Sequence, residues 1–283
     1  MTRRARRWAG FTGAALVGLV LGLGAVLSFV VAPALIFPAS SYHRQPQIHD
    51  GQLLHIPVAG AKETVAVWVP PPEGGCTVVH FHGNGEQIAD VGWFAMSFRR
   101  GGVGLLAVEY PGYGLAPGSP SELGIYRAAE SAMAYLRDTL HVPRDRTVLE
   151  GWSLGTGTAT ELAARGEGSR LILISPYTSM TEMAGRTVPF LPVSWLVRDR
   201  FNTASKAPHV SVPTFIVHGE ADPVIPVAMG RQLGALFPAS TTLFVPGAGH
   251  NVAGSNAVME KIVAFARDCP GATVHPPIVP PPE

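Results

Sequence analysis

Through the middle of the chain, short runs of continuously apolar, often β-branched residues alternate with longer stretches whose apolar positions recur at helical spacing. The runs are Leu53–Val58, Thr64–Val69, Thr77–Phe81, Gly104–Tyr110, Thr147–Trp152, Arg170–Ile174, Thr214–His218 and Thr241–Val245. Continuous apolar character predicts strands covered on both faces. Helices are predicted over Gln87–Arg99, Ser121–Leu140, Leu154–Arg165, Val227–Phe237 and Val252–Asp268. Such alternation predicts an α/β fold, a mostly parallel eight-stranded sheet with helices on both faces. Only a few residues join the first two strands, so that pair is expected to be antiparallel. No internal repeat is present.

The two ends depart from this pattern. Arg3, Arg4, Arg6 and Arg7 open the chain, no charged residue occurs from Trp8 through Tyr42, and Phe11–Val31 is almost wholly apolar. About 20 apolar residues in a helix span a bilayer core. Residues 1–38 are therefore expected to be a basic segment and a transmembrane anchor. A cleaved signal peptide is the rival: its apolar region runs about 7–15 residues, and Ala32-Pro33-Ala34 has the small-residue character of a cleavage site. The arginines should stay cytoplasmic. Either reading puts the rest of the chain on the non-cytoplasmic side, and the anchor reading holds it at the cell membrane as a single-pass protein. Gly10, Ala14, Gly18 and Gly22 form a small-residue stripe that permits a homodimer through this helix. Residues 271–283 are Pro-rich and aperiodic, and read as a disordered tail. Residues 39–270 then form one domain.

Composition sharpens the picture. The 283-residue chain is 47% apolar and 14% charged, where a soluble domain carries about 25% charged residues. A net charge of +1 argues against electrostatic binding of nucleic acid. Two cysteines cannot build a disulfide scaffold or a four-cysteine zinc site. Cys76 precedes the third strand and Cys269 ends the last helix. A helix antiparallel to the strands would finish near their amino ends, so in an oxidising compartment a disulfide is open to this pair.

The chemistry concentrates in Gly151-Trp152-Ser153-Leu154-Gly155, a G-x-S-x-G between a predicted strand and a predicted helix. A sharp turn there lifts the Ser153 hydroxyl clear of the backbone and needs small neighbours. The alternative is a serine that only caps a helix. A hydroxyl needs a base, and His250 follows the last predicted strand among small residues. An orienting carboxylate is supplied by Asp222, with Glu220 as competitor. The order Ser153, Asp222, His250 brings all three to the carboxyl edge of the sheet. Phe81-His82-Gly83-Asn84-Gly85 follows the third strand, and the backbone N–H groups of Asn84 and Leu154 are assigned as oxyanion donors. His80 and His82 share a strand face, but no further ligand follows at metal spacing, so no metal is expected and His82 reads as a turn-stabilising residue. Tyr110-Pro111-Gly112-Tyr113-Gly114 reads as a structural turn whose tyrosines flank the site.

These residues resemble the α/β-hydrolase superfamily of serine hydrolases over about Gln52–Asp268. The strings F-H-G-N-G, E-Y-P-G-Y-G-L-A-P-G-S-P-S-E, G-W-S-L-G-T-G, S-P-Y-T-S-M, H-G-E-A-D-P-V-I-P and G-A-G-H-N look like its membrane-anchored members related to acyl-protein thioesterases and monoacylglycerol or lysophospholipid lipases. Gly85 stands where such relatives often have Ala. The resemblance implies an α/β-hydrolase fold, Ser153 as nucleophile, Asp222 as acid, His250 as base, and no cofactor. It also makes 181–212 a short cap insert that lines an acyl pocket, with Gly83, Tyr113, Trp152, Tyr177 and Trp195 as candidate pocket residues. The expected activity is cleavage of carboxylic esters or thioesters of small-molecule or lipid acyl substrates at a bilayer. A peptidase on the same fold and a non-catalytic membrane-tethered binding protein remain the rivals.

Overall fold

The computed structural model describes Leu19 and residues 21–38, 44–47 and 51–273. Eight strands, β1 (Gln52–Pro57), β2 (Glu63–Val69), β3 (Thr77–Phe81), β4 (Gly104–Val108), β5 (Thr147–Trp152), β6 (Arg170–Ile174), β7 (Thr214–Gly219) and β8 (Ser240–Val245), form one sheet in the order β1-β2-β4-β3-β5-β6-β7-β8. β1 and β2 pair antiparallel, as do β2 and β4; every other neighbouring pair is parallel. The helices are α1 (Ala32–Ile36), α2 (Gly92–Arg100), α3 (Glu122–Asp138), α4 (Gly155–Ala164), α5 (Met180–Thr187), α6 (Val193–Leu196), α7 (Thr203–Lys206), α8 (Val227–Leu236) and α9 (Asn256–Arg267).

The continuous apolar strands feed two cores because successive side chains leave a strand on opposite faces. Leu106 and Val108 of β4 join the core beneath α3, α4 and α8, with Leu136, Leu162 and Leu233. Leu105 and Ala107 join the other, against α2 and α9, with Phe98 and Ile262. Each buried leucine, valine, isoleucine or phenylalanine among them contributes roughly 1.5–3 kcal/mol.

Two predicted helices are interrupted. The stretch from Gln87 begins as a 3₁₀ turn, Ile88–Asp90, closed by a reciprocal cap between Gln87 and Asp90, before α2 starts at Gly92. The last helix is likewise preceded by a 3₁₀ turn at Val252–Gly254 and restarts after Ser255, whose backbone is extended. The insert at 181–212 folds into short helical pieces rather than a large lid.

The expected membrane-spanning helix is not found: among the described residues no helix is long and apolar enough to cross a membrane. Residues 1–18, which include the start of that span and most of the small-residue stripe, lie outside the described residues. What is described is helical from Leu21, widens into a π turn at Leu27–Val31, and ends with α1. Pro33 sits at the start of α1 and has no N–H to continue the ladder. Ile36 and Phe37 pack onto the domain: Phe37 is buried, edge-on to Phe201. Of the expected tail, Gly271–Thr273 are described, and the Thr273 amide donates to Gly74 O at 3.0 Å. Residues 274–283 lie outside.

Cys76 and Cys269 form a disulfide with Cα atoms 6.2 Å apart. It joins the start of β3 to the end of α9, as the antiparallel packing of that helix requires.

Candidate active site

Ser153 stands at the turn between β5 and α4 with φ at 50°. That left-handed conformation is strained for a residue with a side chain. It is held from both sides: the Ser153 amide donates to Ile174 O at 2.9 Å, and the Thr156 amide and hydroxyl donate to Ser153 O at 3.0 and 2.6 Å. The flanking glycines allow the close approach. A Cβ on Gly155 would lie 1.9 Å from Phe81 O, and one on Gly151 would lie 2.4 Å from Gly155 O.

His250 and Asp222 reach this turn from the loops after β8 and β7. The Ala221 amide donates to Ala248 O at 2.9 Å, stitching the two loops together. The Ser175 hydroxyl donates to His250 O at 2.9 Å, fixing the histidine backbone against the end of β6. His250 Nε2 lies 3.1 Å from Ser153 Oγ, and His250 Nδ1 lies 2.8 Å from Asp222 Oδ2. The hydroxyl, imidazole and carboxylate thus form one continuous chain. Glu220, the competitor, is turned outward and pairs with Arg231.

The Asp222 side chain is buried. Burial alone would raise its pKa, but hydrogen bonds from His250 and from the Ile225 and Val224 amides outweigh it and hold the carboxyl below its ordinary range. Those amides donate to Oδ1 at 2.9 and 2.8 Å. Sequence reasoning missed a second histidine here. His218 Nε2 donates to Ile225 O at 2.9 Å and lies 3.3 Å from Asp222 Oδ2. Burial lowers its pKa and keeps the ring neutral, so it adds a donor to Asp222 without competing for the charge. Gly230 leaves room for it, since a Cβ there would lie 2.5 Å from His218 Nδ1.

The loop after β3 lies against the turn: a Cβ on Gly83 would be 3.6 Å from Ser153 Cβ. Among the described residues the amides of Asn84 and Leu154 have no backbone or side-chain acceptor, whereas the Gly83 amide donates to Glu86 Oε2 at 2.8 Å. Two free N–H groups next to a serine hydroxyl suit a developing negative oxygen. The Asn84 side chain fixes this loop. Its Nδ2 donates to Ile36 O at 2.7 Å, and its Oδ1 accepts from Tyr113 Oη at 2.8 Å. His82 lies beneath, with Nδ1 2.9 Å from Gly83 O and Nε2 2.8 Å from Glu109 Oε1. Glu109 also accepts from the Ile88 and Tyr110 amides at 3.0 and 3.2 Å. His80 pairs with Glu150 in the core. The two acids, each beside or within an otherwise apolar strand, were the sequence signal for these buried pairs.

The expected pocket residues separate. Gly83 adjoins Ser153, and the half-buried Trp152 ring lies 6.4 Å from the His250 ring. Tyr113 supports Asn84 from the interior. Tyr177 is fully buried, its hydroxyl donating to Leu154 O at 3.2 Å, so it braces the turn from below. Trp195 is 86% exposed on α6.

Comparison with known proteins agrees with this architecture. A profile of the Alpha/beta hydrolase family matches residues 78–204, and one described as TAP-like protein matches residues 190–269. The Caenorhabditis elegans alpha/beta hydrolase domain-containing protein aho-3 is 32% identical over 200 residues, covering 69% of this chain and 59% of that protein. Alpha/beta hydrolase domain-containing protein 17C of Xenopus tropicalis is 33% identical over 178 residues, covering 62% of this chain and 56% of its own length. The chain thus spans somewhat over half the length of these relatives. Among solved structures, a Pyrococcus furiosus esterase aligns with TM-score 0.65 at 15% identity, covering 81% of this chain and 99% of its own. A Paleococcus ferrophilus monoacylglycerol lipase aligns with TM-score 0.57 at 21% identity, covering 72% and 98% respectively. The matched segment contains the β5–α4 turn and the loop after β3, and the curated relatives carry the same family description: this chain belongs to the α/β-hydrolase superfamily.

Proposed function

We propose that this protein is a serine hydrolase of carboxylic esters or thioesters, acting on acyl or lipid-type substrates at a membrane. The observation that carries the reading is the unbroken chain from Ser153 Oγ through His250 to Asp222, with contacts of 3.1 and 2.8 Å. His250 accepts the Ser153 proton as Oγ attacks the acyl carbon. The Asn84 and Leu154 amides hold the oxyanion. His250 then returns the proton to the departing alkoxide or thiolate, leaving an acyl-enzyme. Water, deprotonated by His250, releases the acid and restores the serine. Asp222, ionised and hydrogen-bonded at both oxygens, keeps the His250 Nδ1 proton in place and balances the imidazolium charge. None of these steps requires a cofactor. An esterase and a monoacylglycerol lipase among the fold neighbours support an ester substrate.

The membrane reading is supported by the apolar N-terminal segment, where Leu21, Leu23, Phe29, Val30 and Leu35 are exposed. Phe190 and Trp195 of the cap are exposed as well, and α6 packs against the Leu27–Val31 turn. Tethered there, the domain would sit outside the cytoplasm, where the Cys76–Cys269 bond can persist.

The test is a panel of acyl esters and thioesters of graded chain length, run on wild type and Ser153→Ala. Turnover by the wild type, lost in Ser153→Ala, is expected. Steady hydrolysis of peptide amides without ester turnover would replace this reading with a peptidase. No turnover of any substrate would favour a binding protein.

A further inference from the structure

A cavity of about 790 Å³ lies between the N-terminal segment and the start of α3. Phe29, Pro33 and Phe37 form one wall, and Pro120, Leu123 and Tyr126 face them. Its size falls within the roughly 300–1,000 Å³ typical of ligand sites. Three polar side chains along its rim, Glu122, Asp199 and Ser121, are already engaged, and the Arg198 guanidinium lies over the Phe29 ring. Glu122 accepts from Tyr126 Oη and from the Arg200 amide, both at 2.7 Å. Asp199 accepts from the Glu122 amide at 2.7 Å. Ser121 Oγ accepts from the Gly124 amide at 3.1 Å. A polar ligand would have to displace these bonds, whereas an apolar chain would not.

The two ends of the groove give it a direction. At the inner end Phe37 is buried, and the carbonyl just before it, Ile36 O, takes the Asn84 side-chain amide. Asn84 is the residue whose backbone N–H serves the oxyanion. A chain lying from Phe29 to Phe37 therefore leads toward the loop that receives the reacting carbonyl. At the outer end Phe29 is exposed beneath the Arg198 guanidinium, 4.1 Å from its ring centroid. This mouth opens beside the exposed apolar side chains of the N-terminal segment.

We infer that this groove holds the long acyl chain of the substrate, with the N-terminal segment as one of its walls. The inference rests on the hydrolase reading above. It adds a preference for long chains that depends on a segment outside the sheet-and-helix core.

Ala34 and Leu123 line the groove and are exposed there, so Ala34→Trp and Leu123→Trp fill it without disturbing the core. The readout is the ratio of kcat/KM for the palmitoyl over the acetyl p-nitrophenyl ester. Each variant lowers this ratio about tenfold or more. Met96→Trp, on an exposed position of α2 away from the groove, leaves it at the wild-type value. A ratio unchanged in both groove variants, or lowered equally by Met96→Trp, overturns the inference. Binding of cis-parinaric acid to Ser153→Ala, followed by its fluorescence, tests the groove without turnover. Affinity falls about tenfold when Ala34→Trp or Leu123→Trp is added, and equal affinity in all three proteins overturns the inference. Absent ester turnover with groove-dependent parinarate binding would sink the hydrolase reading alone. Turnover with a flat chain-length ratio would sink only the groove.

Discussion

Tyr113 Oη donates to Asn84 Oδ1 at 2.8 Å from within the core, so a buried phenol on one loop sets the position of a proposed oxyanion donor on another. Burial holds the Tyr113 phenol protonated, its pKa raised with a further push from Glu109. Tyr113→Phe keeps the ring and removes only this bond, worth about 0.5–1.5 kcal/mol. We expect kcat for a short ester to fall several-fold with KM nearly unchanged, read by steady-state kinetics. A change confined to KM would place Tyr113 against substrate instead.

The two carboxylates after β7 have different roles. Asp222→Asn retains an oxygen for the Val224 and Ile225 amides but turns an NH₂ toward His250 Nδ1. The imidazole then carries its proton on Nε2, where it cannot accept from Ser153. A kcat loss of about 10⁴ is expected, with the thermal midpoint little altered. Glu220 meets Arg231 at the surface, where such pairs are worth about 0–1 kcal/mol. Glu220→Gln should stay within about twofold of wild type. Equal losses in both variants would contradict the assignment.

His82 makes stability depend on pH. Burial favours the neutral ring, but the hydrogen bond and charge of Glu109, with Gly83 O on the other nitrogen, outweigh it and raise the pKa above 6.5. A raised folded value means the contribution is complete below the unfolded pKa and is lost as pH rises through the folded one. Wild-type Tm should therefore carry a decline, as pH rises above about 6.5, that His82→Gln lacks. Parallel Tm curves for the two proteins between about pH 6 and 9 would contradict this.

Much of this was legible in the residues. β3, β5 and β6 begin and end where their apolar runs do, because continuous apolar character has one explanation in a sheet covered on both faces. Ser153, Asp222 and His250 were legible because the turn after β5 demands small neighbours and the chain order demands loops after β7 and β8. The supports were not. Ser175 and His218 act through contacts between distant strands that no local pattern announces, and Glu109 was marked only as an acid beside an apolar strand. Tyr177 read as a pocket residue through the family resemblance, yet its hydroxyl is spent on Leu154 O. Phe37 lay in the charge-free segment assigned to the anchor, and sequence pattern cannot tell a lipid-facing ring from one packed on Phe201.

The Cys76–Cys269 bond closes a long loop, and such bonds contribute roughly 2–5 kcal/mol in the folds that depend on them. Denatured, unreduced protein should show no titratable thiol, and reduction should lower the urea midpoint. Two free thiols in protein recovered from its native compartment would remove this support for a non-cytoplasmic location.

The central claim is that Ser153 is a nucleophile made reactive by His250. Its most direct measurement is mass-spectrometric mapping of a fluorophosphonate adduct on folded wild type, His250→Ala and heat-denatured protein. The account predicts one adduct, on Ser153, in folded wild type, and none in the other two. A folded wild-type protein that stays unlabelled, or one labelled at Ser153 no faster than His250→Ala, would contradict it.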